Sequence, residues 1–355
     1  MQKTEEISGF ISDLPLNCVL ETDIYTDKGV LLCPRMTVVN ERVLQSLNHY
    51  KGFICATITY QTEGEDEPEL EKDDSFEFDS LVKNYIEDGI ETLYNNLDDV
   101  DTVIKTTDSI ATDVVGRINT SKELGINLAK LKVSDEYTYK HSVDVGTMAG
   151  LLARRLQMND NFIKDITVAG FLHDIGKEKI PAEILNKPAK LTDEEFAIMK
   201  MHPVHAYQML MNTSDITEEI RQGVLNHHEN VDGTGYPRGL TDLQIGKMGK
   251  ILTIVDVFDA LVTVRPYKNA KTPAQAIEIM YTMSNKFDVE YFRAFLSIIN
   301  AYPNGTYIKL SNGETALVLK QNKTYPLRPI VKIKETDEIV DLSTDENYLS
   351  AIIVN

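Results

Sequence analysis

The chain is poor in cysteine, lacks long apolar runs and has a deficit of basic residues. Its 355 residues include three cysteines, Cys18, Cys33 and Cys55. So small and odd a number forms no disulfide framework and fits a reducing cytoplasm. No apolar run reaches the length of a transmembrane helix, and the first residues lack the features of a signal peptide. The net charge of −19 argues against general binding of polymeric nucleic acid or anionic membrane.

The composition and the pattern of apolar residues predict a mainly α protein with small β-rich modules at both ends. The fractions of 42% hydrophobic and 26% charged residues are typical of globular proteins. Residues 1–61 predict a β-rich module for packing or dimerisation, with ligand sensing as the alternative. The acidic residues 62–79 predict a solvated linker. Residues 80–300 carry apolar residues at helical spacing, and residues 301–355 alternate as strands do and predict a small antiparallel β module.

One dipeptide within the helical region has side chains that can bind metal ions. His173 and Asp174 stand side by side at the end of an apolar run, in the stretch HDIGKEKIP. An imidazole nitrogen and a carboxylate can bind one metal ion, and the carboxylate can bridge to a second. Lys177 stands about one helical turn later and can face the same pocket. Alone the pair is a weak signal, because most His-Asp pairs lie on surfaces.

Other candidate ligands occur at helix ends or on apolar faces of the same region. They are His141, His202, His227, His228 and Asp256. Asp256 lies in the apolar stretch KILTIVDVFDALVT, where a buried carboxylate is costly unless it is paired or binds a metal. A lone histidine on such a face is more often a core residue, but five histidines in this arrangement favour a shared site. Imidazole and carboxylate together suit iron, manganese, zinc or nickel and not calcium or magnesium.

Five segments resemble the HD-GYP domain, a branch of the HD-superfamily metal phosphohydrolases that cleaves cyclic di-GMP. They are His141-Ser142, HDIGK (173–177), HP (202–203), HHENVDGTGYPRGL (227–240) and VDVFDALVTVRPYK (255–268). They follow the family order, and the long segment at 227–240 is the most specific. The resemblance implies an HD-type helical bundle.

The resemblance also implies a role for each matching residue. The implied metal ligands are His141, His173, Asp174, His202, His227, His228 and Asp256, with Asp174 as the bridge. Lys177 matches the lysine near the scissile phosphate, which acts as a phosphate contact or as a proton donor. Gly235, Tyr236 and Pro237 match the signature loop that lines the substrate site. Arg265 and Lys268 match residues that hold the far phosphate or guanine.

The chain departs from the family pattern at one position. Family members with three metals carry a glutamate one turn before the first histidine, and Tyr137 stands there in this chain. Glu136 lies about 140° round the helix from His141, which is badly placed for a substitute. We therefore predict two divalent transition-metal ions, iron or manganese, with zinc or nickel as alternatives.

The predicted function is a phosphodiesterase that converts cyclic di-GMP to linear pGpG, with GMP as a further product left open. The attacking hydroxide would form between two metal ions about 3.5–4 Å apart. One alternative is another cyclic dinucleotide, such as cyclic GMP-AMP. A second is a non-catalytic cyclic di-GMP sensor or interaction protein. A homodimer and signalling-protein partners are also left open.

Overall fold

The computed structural model describes residues 4–10, 14–25, 31–47, 53–60, 76, 86, 88–89, 99–121, 124–127, 137–211, 213, 215–263 and 270–354. The α-helices among them are α1 Glu41–Leu47, α2 Val100–Thr120, α3 Tyr137–Arg155, α4 Asp160–Leu172, α5 Ala182–Leu185, α6 Asp193–Met199, α7 His202–Leu210, α8 Glu218–Asn226, α9 Lys247–Val262, α10 Pro273–Thr282 and α11 Val289–Leu296. The strands are β1 Thr4–Phe10, β2 Cys18–Leu20, β3 Ile24–Tyr25, β4 Leu31–Cys33, β5 Phe53–Tyr60, β6 Tyr307–Leu310, β7 Thr315–Lys320, β8 Ile330–Ile333, β9 Ile339–Asp341 and β10 Ile353–Val354. The predicted fold class, mainly α with β-rich ends, is confirmed.

Strands from the two ends of the chain belong to one compact unit. It comprises the described residues within 1–74, 127–130 and 300–355. Its antiparallel sheets have the orders β1-β5-β2, β3-β4 and β10-β6-β7-β8-β9. An isolated bridge joins Thr37 to Thr306, so the terminal segments hydrogen-bond to each other.

The second unit is helical and comprises the described residues within 75–126 and 131–299. Apolar residues at helical spacing on α3 face its core, where Val145, Met148 and Leu152 are fully buried. Helices α3 and α4 touch where Gly146 meets Gly170, because a Cβ on Gly170 would collide with the Gly146 backbone. This close approach brings the start of α3 beside the end of α4.

Polar caps fix where several of these helices begin. Thr192 and Glu195 form the capping box that their spacing predicts, and this box starts α6. The side chain of Asn159 accepts from the amide of Phe162 at the start of α4. Such caps satisfy amides that have no partner inside a helix and contribute about 1 kcal/mol each.

Two further features are the acidic segment 62–79 and the length and apolarity of the helices. Of the predicted linker 62–79 only Phe76 is described, and it is buried, with its amide donating to Gly125 O. Within the described part of the chain, no helix combines the length and apolarity needed to cross a bilayer.

Candidate metal centre

The seven predicted metal ligands converge in the helical unit. The ligand atoms of His202, His227 and His228 lie within 4.8 Å of one another, and so do those of His141, His173 and Asp174. Asp256 adjoins both groups: its Oδ1 is 3.1 Å from His141 Nε2 and its Oδ2 is 3.6 Å from His228 Nδ1. The sequence therefore supplies two adjacent donor groups.

Helix ends position most of these donors. His141 lies near the start of α3, His173 and Asp174 follow α4, His202 opens α7, His227 and His228 follow α8, and Asp256 lies within α9. Gly176 packs against the backbone of His202 and Ala206, where a Cβ would not fit. This packing holds the segment after α4 against the start of α7 and places Asp174 Oδ1 3.4 Å from His202 Nε2.

Three of the histidines share one orientation. The Nδ1 atoms of His173, His202 and His227 lie 2.7, 2.9 and 2.6 Å from the carbonyl oxygens of the residues three positions earlier. A carbonyl oxygen only accepts, so each Nδ1 carries the proton. In the neutral rings Nε2 then holds a lone pair that can bind a metal.

His141 is oriented by a carboxylate instead of a carbonyl. Its Nδ1 lies 2.6 Å from Oδ2 of Asp259, which is fully buried. The hydroxyl of Thr263 lies 3.2 and 3.1 Å from the two Asp259 oxygens. A carboxylate behind a ligating imidazole fixes the tautomer and raises the basicity of the ligand. Asp259 lies in the same apolar stretch as Asp256 but was not among the residues predicted to form the site.

Asp174 faces both donor groups through different oxygens. Its Oδ2 is 3.5 Å from His141 Nε2 and 3.4 Å from His173 Nε2, whereas Oδ1 is 3.4 Å from His202 Nε2. Lys177 Nζ lies 2.5 Å from Oδ2, and its side chain is about one third exposed. The carboxylate is thus placed to connect the two groups, with one ammonium beside it.

Burial keeps three of the imidazoles neutral. It lowers the pKa of His202 and, reinforced by the adjacent His228, lowers the pKa of His227 well below the usual range. Burial also lowers the pKa of His228 to about 3. A neutral ring is the form that binds a metal ion.

The two carboxylates are ionised. Burial raises the pKa of a carboxyl, but His173 and Lys177 outweigh it and hold the pKa of Asp174 well below its usual range. For Asp256 the hydrogen bond from His141 likewise outweighs burial and lowers the pKa well below the usual range. Both side chains are therefore available as anionic ligands.

This donor set fits divalent transition-metal ions. His202 Nε2 and His227 Nε2 lie 3.2 Å apart, and both carry lone pairs when Nδ1 holds the proton. Oδ1 of Asp174 is buried and makes no hydrogen bond with any described residue. A cation between these atoms would replace lone-pair repulsion and satisfy the buried oxygen. Mixed imidazole and carboxylate donors suit iron, manganese, zinc or nickel.

Metal affinity should increase with pH across the neutral range. Burial lowers the pKa of His141, but its hydrogen bonds to Asp256 and Asp259 outweigh this and raise the pKa to about 10. Below that pH the ring holds a second proton, which a metal must displace, so affinity rises by up to about tenfold per pH unit. Calorimetric titrations with Mn²⁺ in buffers of different ionisation enthalpy should show proton release on binding. Equal affinity at about pH 6 and about pH 8 would contradict this expectation.

The signature loop lies over the donor groups. The ring centroids of Tyr236 and His228 are 4.6 Å apart at an interplanar angle of 31°. Burial, with Asp256 and Asp174 nearby, raises the pKa of Tyr236, so its hydroxyl stays protonated. Gly235 packs against the backbone of residues 228–230, and the Tyr236–Pro237 peptide bond is cis.

Glu229 anchors this loop, a role that the sequence analysis missed. The side chain is buried, and its Oε1 and Oε2 accept from the amides of Arg238 and Leu240 at 2.7 and 2.9 Å. The guanidinium of Arg238 donates to Asn226 Oδ1 at 2.6 Å. The sequence feature that could have indicated this role is the position of Glu229 directly after two candidate ligands, His227 and His228. Arg265 and Lys268, the other predicted substrate-binding residues, lie outside the described residues.

Comparison with known proteins identifies the helical segment. Residues 123–291 match the family described as HD domain. The five segments that resemble the HD-GYP domain all lie within this match. The resemblance drawn from the sequence is thereby confirmed.

Named relatives align with part of this chain. A cyclic di-GMP phosphodiesterase of Pseudomonas aeruginosa is 40% identical over 227 residues, which are 63% of this chain and 55% of that protein. A 3′3′-cGAMP-specific phosphodiesterase of Vibrio cholerae is 37% identical over 169 residues, 47% of this chain and 36% of that protein. The chain thus spans about half or less of these relatives.

One solved structure covers more of the chain at lower similarity. It is described as an HDG"Y"P protein from Bdellovibrio bacteriovorus, is 17% identical and covers 82% of this chain and 98% of its own, with a TM-score of 0.49.

Proposed function

We propose that this HD domain is a metal-dependent phosphodiesterase that hydrolyses cyclic di-GMP to linear pGpG. The observation that carries the proposal is the position of Asp174 between two donor groups, with its two oxygens turned to different groups. The Pseudomonas relative, which shares 40% identity, is named for the same activity. A further cut of pGpG to GMP remains part of the proposal to be tested.

Two divalent transition-metal ions are proposed as cofactors. The groups His141/His173/Asp174 and His202/His227/His228 would hold one ion each, and Asp256 adjoins both. When bound, two such ions supply a water of lowered pKa and stabilise charge on phosphoryl oxygens. Iron or manganese is proposed, with zinc or nickel as alternatives.

The side chains around the donor groups have separate roles in the proposed reaction. The attacking water loses a proton to solvent and adds its oxygen to phosphorus, the bond from phosphorus to the 3′ oxygen breaks, and that oxygen leaves with a proton. Lys177 is placed to donate this proton, because its ammonium adjoins Asp174 and is partly exposed. The protonated hydroxyl of Tyr236 can donate to a substrate oxygen above the site. Gly235 and Pro237 shape the loop that carries this tyrosine.

Cyclic GMP-AMP is the second candidate substrate. The Vibrio relative named as specific for 3′3′-cGAMP shares 37% identity, and the same donor groups would serve either phosphodiester. A non-catalytic sensor of cyclic di-GMP remains the alternative outside enzymes. All seven candidate ligand positions and the signature loop are intact, which favours catalysis over a degenerate site.

The test is turnover by protein purified anaerobically and loaded with iron or manganese. Formation of linear pGpG or GMP from cyclic di-GMP supports the proposal. Turnover of cyclic GMP-AMP alone would support the second substrate, and binding at full metal occupancy without turnover would support the sensor. Metal analysis of the same protein should give two ions per chain, and three would contradict the proposed metal set.

A further inference from the structure

An exposed aromatic side chain stands beside the signature loop. Phe196 on α6 is 46% exposed, and its ring centroid lies 6.3 Å from that of Tyr236 at an interplanar angle of 76°. Tyr236 in turn lies close to His228 and 6.4 Å from the ring of His202. Phe196 is therefore one ring further from the donor groups than Tyr236.

The fold does not require this phenylalanine. Helix α6 buries none of its residues. It is held instead by its capping box and by the Lys187 ammonium, which lies 2.7 and 2.5 Å from the two Glu195 carboxylate oxygens. The aromatic ring is thus presented to solvent on a helix that other contacts keep in place.

A cation lies over the same ring. Lys200, one turn after Phe196, has its Nζ 5.2 Å from the ring centroid. The ring and ammonium together match a purine: a base can stack on the aromatic face, and an ammonium can donate to the O6 and N7 acceptors of guanine. Adenine presents an amino donor in place of O6 and fits this cation less well.

We propose that Phe196 and Lys200 recognise a guanine base of the substrate, with Phe196 stacking on the base and Lys200 contacting its O6/N7 edge. This inference rests on the proposed function, because it needs a phosphodiester at the donor groups. In this arrangement the sugar and base would extend from the phosphate past Tyr236 toward Phe196, whose ring centroid is 6.3 Å from that of Tyr236. The stacked base takes the place of the ammonium over the ring, which leaves Lys200 beside the base edge.

The experiment compares steady-state kinetics of metal-loaded wild type with Phe196→Ala, Phe196→Leu and Phe196→Trp on cyclic di-GMP. We expect Phe196→Ala to raise KM about 5- to 100-fold with little change in kcat, since one base stack is lost. Phe196→Leu should resemble the alanine variant because it has no π face, and Phe196→Trp should retain the low KM. Ile198→Ala, a similarly exposed position on α6, is the matched control and should match wild type.

Lys200→Met tests the second half of the inference. It should reduce the preference of the enzyme for cyclic di-GMP over cyclic di-AMP, whereas Phe196→Ala should weaken both substrates. Unchanged KM in Phe196→Ala, or a leucine variant equal to wild type, would overturn the stacking. An unchanged preference in Lys200→Met would overturn the base contact.

Binding of GMP, followed by calorimetry, separates this inference from the proposed function. If wild type turns over no cyclic dinucleotide, the proposed function fails. The inference then stands only if wild type binds GMP and Phe196→Ala binds it at least several-fold more weakly. If wild type is active and Phe196→Ala has wild-type KM and GMP affinity, only this inference fails.

Discussion

Replacing His173 and Asp174 together by alanine is expected to abolish phosphodiester hydrolysis. The change removes one Nε2 donor and both oxygens of the carboxylate that faces the two donor groups. We expect turnover of cyclic di-GMP to fall by more than about 10³-fold, since accelerations of about 10⁶-fold or more depend on an intact site. Metal content should fall in the same preparation, as measured by elemental analysis.

His205→Ala is the matched control for this experiment. His205 lies on α7, three residues after His202, and belongs to neither donor group. Its replacement should leave metal content and turnover near wild type. Circular dichroism of the double variant checks that its helices remain. Turnover by a folded double variant would mean that the site has been assigned to the wrong residues.

Replacing Asp259 by asparagine should weaken metal binding about 10- to 100-fold, the usual effect of losing a carboxylate behind a ligating histidine. The asparagine is nearly the same size and can still contact Thr263, but it removes the negative charge that holds His141 Nδ1. The measurement is metal affinity, determined by competition with a chromophoric chelator.

Turnover at limiting and at excess metal is a second measurement on the Asp259→Asn variant. Because Asp259 acts through His141, excess metal should restore most of the turnover that the variant loses at limiting metal. Asp160→Asn, an exposed carboxylate at the start of α4, should have wild-type affinity. Wild-type metal affinity in Asp259→Asn would show that this carboxylate does not position the ligand.

Much of the candidate site could be predicted because its residues interrupt strong patterns. Histidines at the ends of apolar helices and an aspartate inside one are costly unless they serve a purpose. His173 and His227 both occur where an apolar helix stops, and the structure brings them together with the other donors. The long matching segment at 227–240 contributed most to the specificity of the prediction.

What the sequence could not show is which partner each buried group meets. Asp256 and Asp259 stand one turn apart on α9 in the same apolar context, yet one faces both donor groups and the other lies behind His141. Rotation of α9 against α3 decides between them. Glu229 was missed for a similar reason, because its two amide donors lie nine and eleven residues away across a loop.

The β-rich ends show the same limit. The stretch FICATITY predicts a strand over 53–60, which is β5 with its observed bounds, and LNCVLETDIYTDKGVLLC predicts two strands joined by a turn at 26–29. Strands β3 and β4 do pair there. The longer first strand that the pattern suggested is instead divided, because β2 joins β5 and β3 joins β4. Alternation shows which residues face a core but not which neighbour a strand selects.

Three histidines, His173, His202 and His227, donate to carbonyl oxygens three residues earlier. This spacing limits where insertions and deletions can occur in the chain. Each of those carbonyls belongs to the last turn of its helix, where carbonyl oxygens otherwise lack partners. Each ring thus gives a hydrogen bond to the end of a helix through Nδ1 and offers a metal-binding atom, Nε2. Inserting a residue between ring and carbonyl would turn the ring about 100° and undo both at once. We expect related chains to differ in length within their loops and to keep an unchanged count of residues across these three helix ends.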